Sequence, residues 1–139
     1  MRNLLIYFLL LCSVFVKADT ITHWTVYLNN IKLNTFDNLG NNIKFKSSEL
    51  KIGDKLSVQY FDDTPCNECT YEIIIRNGYK GELVSKKFKS ENDLVELNLT
   101  NVLEDDIGRK PRLFLVFFKE FRRGKLINGG LRLFTFTID

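Results

Sequence analysis

Apolar and polar positions alternate in short runs from residue 23 onward, and no stretch sustains a helical period. In His23-Trp24-Thr25-Val26-Tyr27-Leu28, the residues Trp24, Val26 and Leu28 fall on one side of an extended chain. Asn29-Asn30 follows, a pair that tolerates the left-handed backbone of a two-residue hairpin turn, and Ile31 and Leu33 resume the alternation beyond it. Ile43 and Phe45 mark a weaker run. After the turn Ile52-Gly53-Asp54, Leu56 to Phe61 reads as a half-buried strand. Tyr71 to Arg76 carries Ile73, Ile74 and Ile75 in succession, β-branched enough for a central position in a sheet. Glu82 to Phe88 and Leu94 to Leu99 come next, and Arg112 to Phe121 and Leu131 to Ile138 are the strongest runs, joined by a loop from Arg122 to Gly130.

One segment carries a second period. Val95, Leu99, Val102 and Leu103 also fit helical spacing, so a strand is expected to pass into one short helical turn, with Asn101 as N-cap, Glu104 as its capping-box partner and Gly108 as terminator. About eight strands, at most one short helical turn and no repeat of fixed period predict an all-β chain: a single antiparallel β-sandwich of Greek-key type. The order of strand, short crossover and strong strand from Leu94 to Phe121 resembles the cross-over region of immunoglobulin-like and fibronectin-like sandwiches. The inter-sheet cysteine pair of antibody domains is missing from the sequence.

The amino terminus changes the picture of where such a chain works. MRNLLIYFLLLCSVFVKADT has an early Arg, an apolar run from Leu4 to Val16 and a small residue, Ala18, before an expected cut. Residues 1–18 are therefore expected to be a secretory signal and 19–139 the β-sandwich domain, secreted or periplasmic. The apolar run is shorter than the roughly 20 residues a bilayer core needs, so no transmembrane segment is expected in the mature form. Attachment of a lipid at Cys12 is a minor alternative, because Leu11 before it is not small. Removing Arg2 and Lys17 lowers the formal net charge from +3 to about +1, which argues against nucleic acid as a partner.

The chain holds three cysteines, and two of them form Cys66-Asn67-Glu68-Cys69. A disulfide needs Cα atoms closer than about 7 Å, which an extended strand cannot supply but a four-residue turn can. Pro65 and Asn67 favour that turn, and oxidising surroundings favour its closure, so a Cys66–Cys69 disulfide at the tip of a hairpin is expected. A redox active site would place the pair at the start of a helix, whereas Tyr71-Glu72-Ile73 reads as strand and Asp62, Asp63 and Glu68 disfavour a thiolate. Zinc would need further ligands, and His23 is the chain's one histidine, so no metal or other cofactor is expected.

Other charged groups read as solvated loops: Glu104-Asp105-Asp106, then Lys86-Lys87 with Lys89, Arg109-Lys110 with Arg112, and Lys119, Arg122, Arg123 and Lys125. No serine nucleophile motif, Gly-rich phosphate loop or Cys/His catalytic pair occurs, so the chain is not expected to be an enzyme. Asn98-Leu99-Thr100 fits the N-glycosylation triplet. The C-terminal runs are apolar on both sides. Strict alternation sets Leu113, Leu115, Phe117, Leu131 and Leu133 opposite Phe114, Val116, Phe118, Phe134 and Phe136, and the first set is the candidate partner-binding face. The functional expectation is a small non-catalytic binding or structural module for a protein or polysaccharide, with homo-oligomerisation through the C-terminal strands as one outcome. The alternative is a thiol-disulfide redox or sensing protein that uses Cys66 and Cys69.

Overall fold

The computed structural model describes residues 22–62, 64, 66–78, 81–89, 92–105 and 111–139. The expected signal at 1–18, Cys12, Asp63, Pro65, Asp106, Gly108, Arg109 and Lys110 lie outside them. Among the described residues nine strands form: β1 (Thr22–Leu28), β2 (Ile31–Phe36), β3 (Asn41–Phe45), β4 (Lys55–Asp62), β5 (Cys69–Asn77), β6 (Gly81–Phe88), β7 (Leu94–Asn98), β8 (Arg112–Arg122) and β9 (Lys125–Ile138). One helical turn, α1 (Thr100–Glu104), separates β7 from β8.

The strands make two sheets, ordered β2-β1-β4-β7 and β3-β9-β8-β5-β6. All pairings are antiparallel except β3 with β9, which run parallel. The inward residues of both sheets enclose one apolar core. Trp24, Val26, Leu56 and Val58 come from the first sheet, and Ile73, Ile75, Phe114 and Val116 from the second. Tyr60 of β4 stacks on Phe118 of β8 with ring centroids 4.3 Å apart, so the sheets meet through aromatic faces. Burial of each such side chain contributes about 1.5–3 kcal/mol.

Local chemistry sets the turns. Asn29 and Asn30 adopt φ of 50° and 67°, the left-handed pair that a tight β1–β2 hairpin demands. Arg123 and Gly124 do the same between β8 and β9, with φ of 50° and 76°. The last hairpin is therefore closed by two residues, and Lys125 to Gly130 extend β9 where a loop was expected. The α1 turn is capped differently from expectation as well: Leu99 occupies the N-cap position, and Asn98 Oδ1 accepts the Thr100 N–H at 2.8 Å. Asn101 lies inside the turn.

Two corrections bear on function. Asp62 and Cys69 belong to different sheets, so the segment between β4 and β5 is a crossover and not a hairpin. Alternation along the strand misses this because it reports which side a residue faces and not which neighbour its strand pairs with. The second concerns β9. Val116 pairs with Phe134 while Phe117 pairs with Arg132, which leaves Leu133 as the extra residue of a β-bulge. The bulge resets the alternation, so Leu133 and Phe134 are both fully buried, and Leu131, opposite Phe118, packs against the core. Leu131 and Leu133 thus do not share a face with Leu113, Leu115 and Phe117.

Candidate functional site

The crossover between the sheets brings together most of the chemistry near the cysteines. Cys66 and Cys69 are joined by a disulfide with Cα atoms 5.4 Å apart. The backbone N–H of Cys69 also reaches the Cys66 carbonyl at 3.3 Å, so the four residues form the turn that bridging requires. Cys69 opens β5 on its inward side and is buried, whereas Cys66 is half-buried. The ring is small, and its closure contributes only about 2 kcal/mol.

Glu120 lies at the same rim. On β8 it follows Phe114, Val116 and Phe118 in the inward register, opposite Tyr71, at the end of the core. Its Oε1 is 3.4 Å from Cys69 Sγ. Cys66, Cys69 and Glu120 present donor atoms that all lie within 4.8 Å of one another. Sequence reading did not connect Glu120 with the cysteines, although one signal exists: a charged residue stands at the next inward position of a run otherwise filled by Phe and Val.

A second carboxylate of the loop is fully engaged. Glu68 accepts from two guanidinium nitrogens of Arg123, Nε at 2.8 Å and Nη2 at 3.0 Å, so the loop is fastened to the β8–β9 turn. Thr64, Cys66, Asn67, Glu68 and Arg122 line a shallow depression of about 540 Å³ beside the disulfide. The acidic and basic loops that look independent along the chain are here one structure.

The remaining candidates resolve into structural roles. His23 stacks on Phe61 with centroids 4.7 Å apart and is not part of the donor group at the cysteines. Asp105 is buried and accepts from Asn77 Nδ2, while Arg112 Nη1 donates to the carbonyls of Leu103 at 2.9 Å and Asp105 at 3.3 Å. These contacts pin the α1 crossover. Asn98 is exposed at the end of β7.

The outward side of the larger sheet carries Leu113, Leu115, Phe117 and Phe121 from β8, with Ile74 and Arg76 of β5 in register beside Phe117 and Leu115. Leu113 is 49% exposed, whereas Leu115 and Phe117 are half-buried. Ile74 is fully buried although it belongs to this outer side and not to the inter-sheet core. Long cationic side chains lie over the aromatic rings: the Arg76 guanidinium is 5.4 Å from the Phe117 centroid and Lys87 Nζ is 5.9 Å from that of Phe121. Lys119 pairs with Glu72 at 3.6 Å on the same side. The face is apolar in its centre, with charged side chains of both signs around it.

No family model matches the chain, and no curated protein matches it in sequence. Among the described residues no helix is long and apolar enough to cross a membrane.

Proposed function

We propose that the protein is a small secreted or periplasmic, non-catalytic binding module built on a Greek-key, immunoglobulin-like β-sandwich, with a protein as its partner. The strand order supports the fold. Labelled A, B and E, the strands β1, β4 and β7 are neighbours in one sheet; labelled C′, C, F and G, the strands β6, β5, β8 and β9 are neighbours in the other, and this partial order, with β2 and β3 added at the edges and no strand beyond β7 among the described residues, supports an immunoglobulin-like reading. A disulfide together with the apolar amino-terminal run supports export.

The observation that carries the binding reading is the outer side of the larger sheet, where Leu113, Leu115, Phe117 and Phe121 form an apolar row with Arg76 over Phe117 and Lys87 over Phe121. Aromatic and Arg side chains around an apolar centre are the composition of a protein-binding patch. Crosslinking in native secretions, comparing the wild type with Leu113→Asp and Leu115→Asp, tests it, with light scattering to detect self-association. Loss of a crosslinked partner or of a dimer in both variants is expected. An unchanged pattern, or capture of a glycan with no protein, overturns it.

A second reading is thiol-disulfide exchange. It is favoured by the contact of Glu120 with Cys69, since a carboxylate beside the more buried sulfur can accept the thiol proton during exchange. Turnover in a disulfide-reduction assay, abolished by Cys66→Ser, is its expected signature, and an inert pair removes it.

A further inference from the structure

We propose that opening the Cys66–Cys69 disulfide converts the rim of the crossover into a three-ligand site for a soft divalent cation such as Zn²⁺, held by Cys66 Sγ, Cys69 Sγ and a Glu120 carboxylate oxygen. The donor set is of the right kind, because thiolate sulfur selects zinc-like metals over calcium or magnesium. The spacing is close to what coordination needs. Tetrahedral zinc with sulfur at about 2.3 Å and carboxylate oxygen at about 2.0–2.2 Å separates its ligands by roughly 3.5–3.8 Å. Glu120 Oε1 already stands 3.4 Å from Cys69 Sγ and all three donor atoms lie within 4.8 Å of one another, so the two sulfurs must part and Cys66 must adjust by no more than about an ångström toward the carboxylate.

The loop that carries the sulfurs is held by more than their bond. The Cys69 N–H to Cys66 carbonyl contact closes the turn, and Glu68 is clamped by Arg123 through its side chain and, at 3.3 Å, through its backbone carbonyl. None of these contacts uses the sulfur–sulfur bond, so all are available to keep both thiols near Glu120 after reduction. The reductant is a dithiol: it forms its own disulfide while delivering two electrons and two protons to Cys66 and Cys69. Metal binding then releases the two thiol protons, and the cation offsets the repulsion that the carboxylate would otherwise impose on the thiolates. Three protein ligands leave a fourth position for water or an anionic co-ligand, and Cys66 also borders the depression lined by Asn67 and Arg122.

The test uses cobalt(II) as probe, with the protein reduced by a phosphine that brings no thiol of its own. Reduced wild type is expected to develop thiolate-to-cobalt charge-transfer absorption that saturates at one equivalent and is displaced by Zn²⁺. The oxidised protein should show none. Cys66→Ser is expected to abolish the band, and Glu120→Gln to weaken binding by about 10-fold or more. Near-ultraviolet circular dichroism from Trp24 and the tyrosines follows the fold after reduction. A reduced, folded wild type without the band, loss of the fold on reduction, or equal affinity in Glu120→Gln would each overturn the proposal.

Discussion

Arg123 grips Glu68 through two parallel contacts, Nε to Oε2 at 2.8 Å and Nη2 to Oε1 at 3.0 Å, and so ties the disulfide loop to the turn of the last hairpin. The geometry is bidentate, yet the side chains are 76% and 47% exposed, so water and salt screen the pair. A double-mutant cycle with Glu68→Ala and Arg123→Ala should give a coupling of no more than about 1 kcal/mol in urea unfolding, falling further in high salt. A larger, salt-insensitive coupling would mean that this pair is shielded from solvent and holds the loop more tightly than its exposure allows.

The β-bulge at Leu133 makes a sharper prediction. Leu133 is fully buried whereas Leu113, which alternation alone places on the same face, is 49% exposed. Leu133→Ala should cost about 2–5 kcal/mol through the cavity it leaves, and Leu113→Ala no more than about 0.5 kcal/mol. Chemical denaturation of the two variants separates them. Similar costs at both positions would show that β9 keeps strict alternation in solution.

The same bulge marks where sequence reading reaches its end. Strand positions, the Asn29-Asn30 turn and the bridging turn at Cys66-Cys69 follow from residues close together in the chain, because alternation, left-handed tolerance and ring size are local properties. Three features are not local. A bulge appears only when β9 is set against β8, and its one extra residue moves Leu131 and Leu133 from one side to the other. Whether β4 and β5 pair or cross between sheets depends on partners far along the chain. The proximity of Glu120 to Cys69 spans 51 residues and arises only when β8 lies beside β5. Lys125 to Gly130 misled for another reason: their polar, Gly-rich composition suits a loop, yet Leu126 pairs with Phe121 and Asn128 with Glu120, which holds them extended.

The disulfide should matter little to global stability. It encloses a four-residue ring, while the core spans both sheets and contains many fully buried aromatic and aliphatic side chains. The paired substitution Cys66→Ser with Cys69→Ser is expected to lower unfolding free energy by about 2 kcal/mol and to leave a cooperative, folded domain. Urea unfolding followed by tryptophan fluorescence measures both. A variant with no cooperative transition would assign the bridge a much larger structural role than its ring size allows.

Arg76 offers the most discriminating test of how the outer side of the larger sheet is covered. Its guanidinium lies over Phe117, its strand neighbours across the sheet are Leu115 and Glu82, and its Nε is buried without a hydrogen-bond partner. Two effects oppose each other here. The aliphatic stem and the cation–π contact favour Arg, by about 0.5–1 kcal/mol for the latter, while the unsatisfied donor disfavours it by about 1–3 kcal/mol. Arg76→Met keeps the stem's volume and removes the donor, so it should leave stability unchanged or raise it. Arg76→Ala removes the stem as well, uncovering Phe117, and should lower stability by about 1 kcal/mol or more. Thermal unfolding of the pair decides the matter: if Met is as costly as Ala, the charge itself and not the packing holds this face.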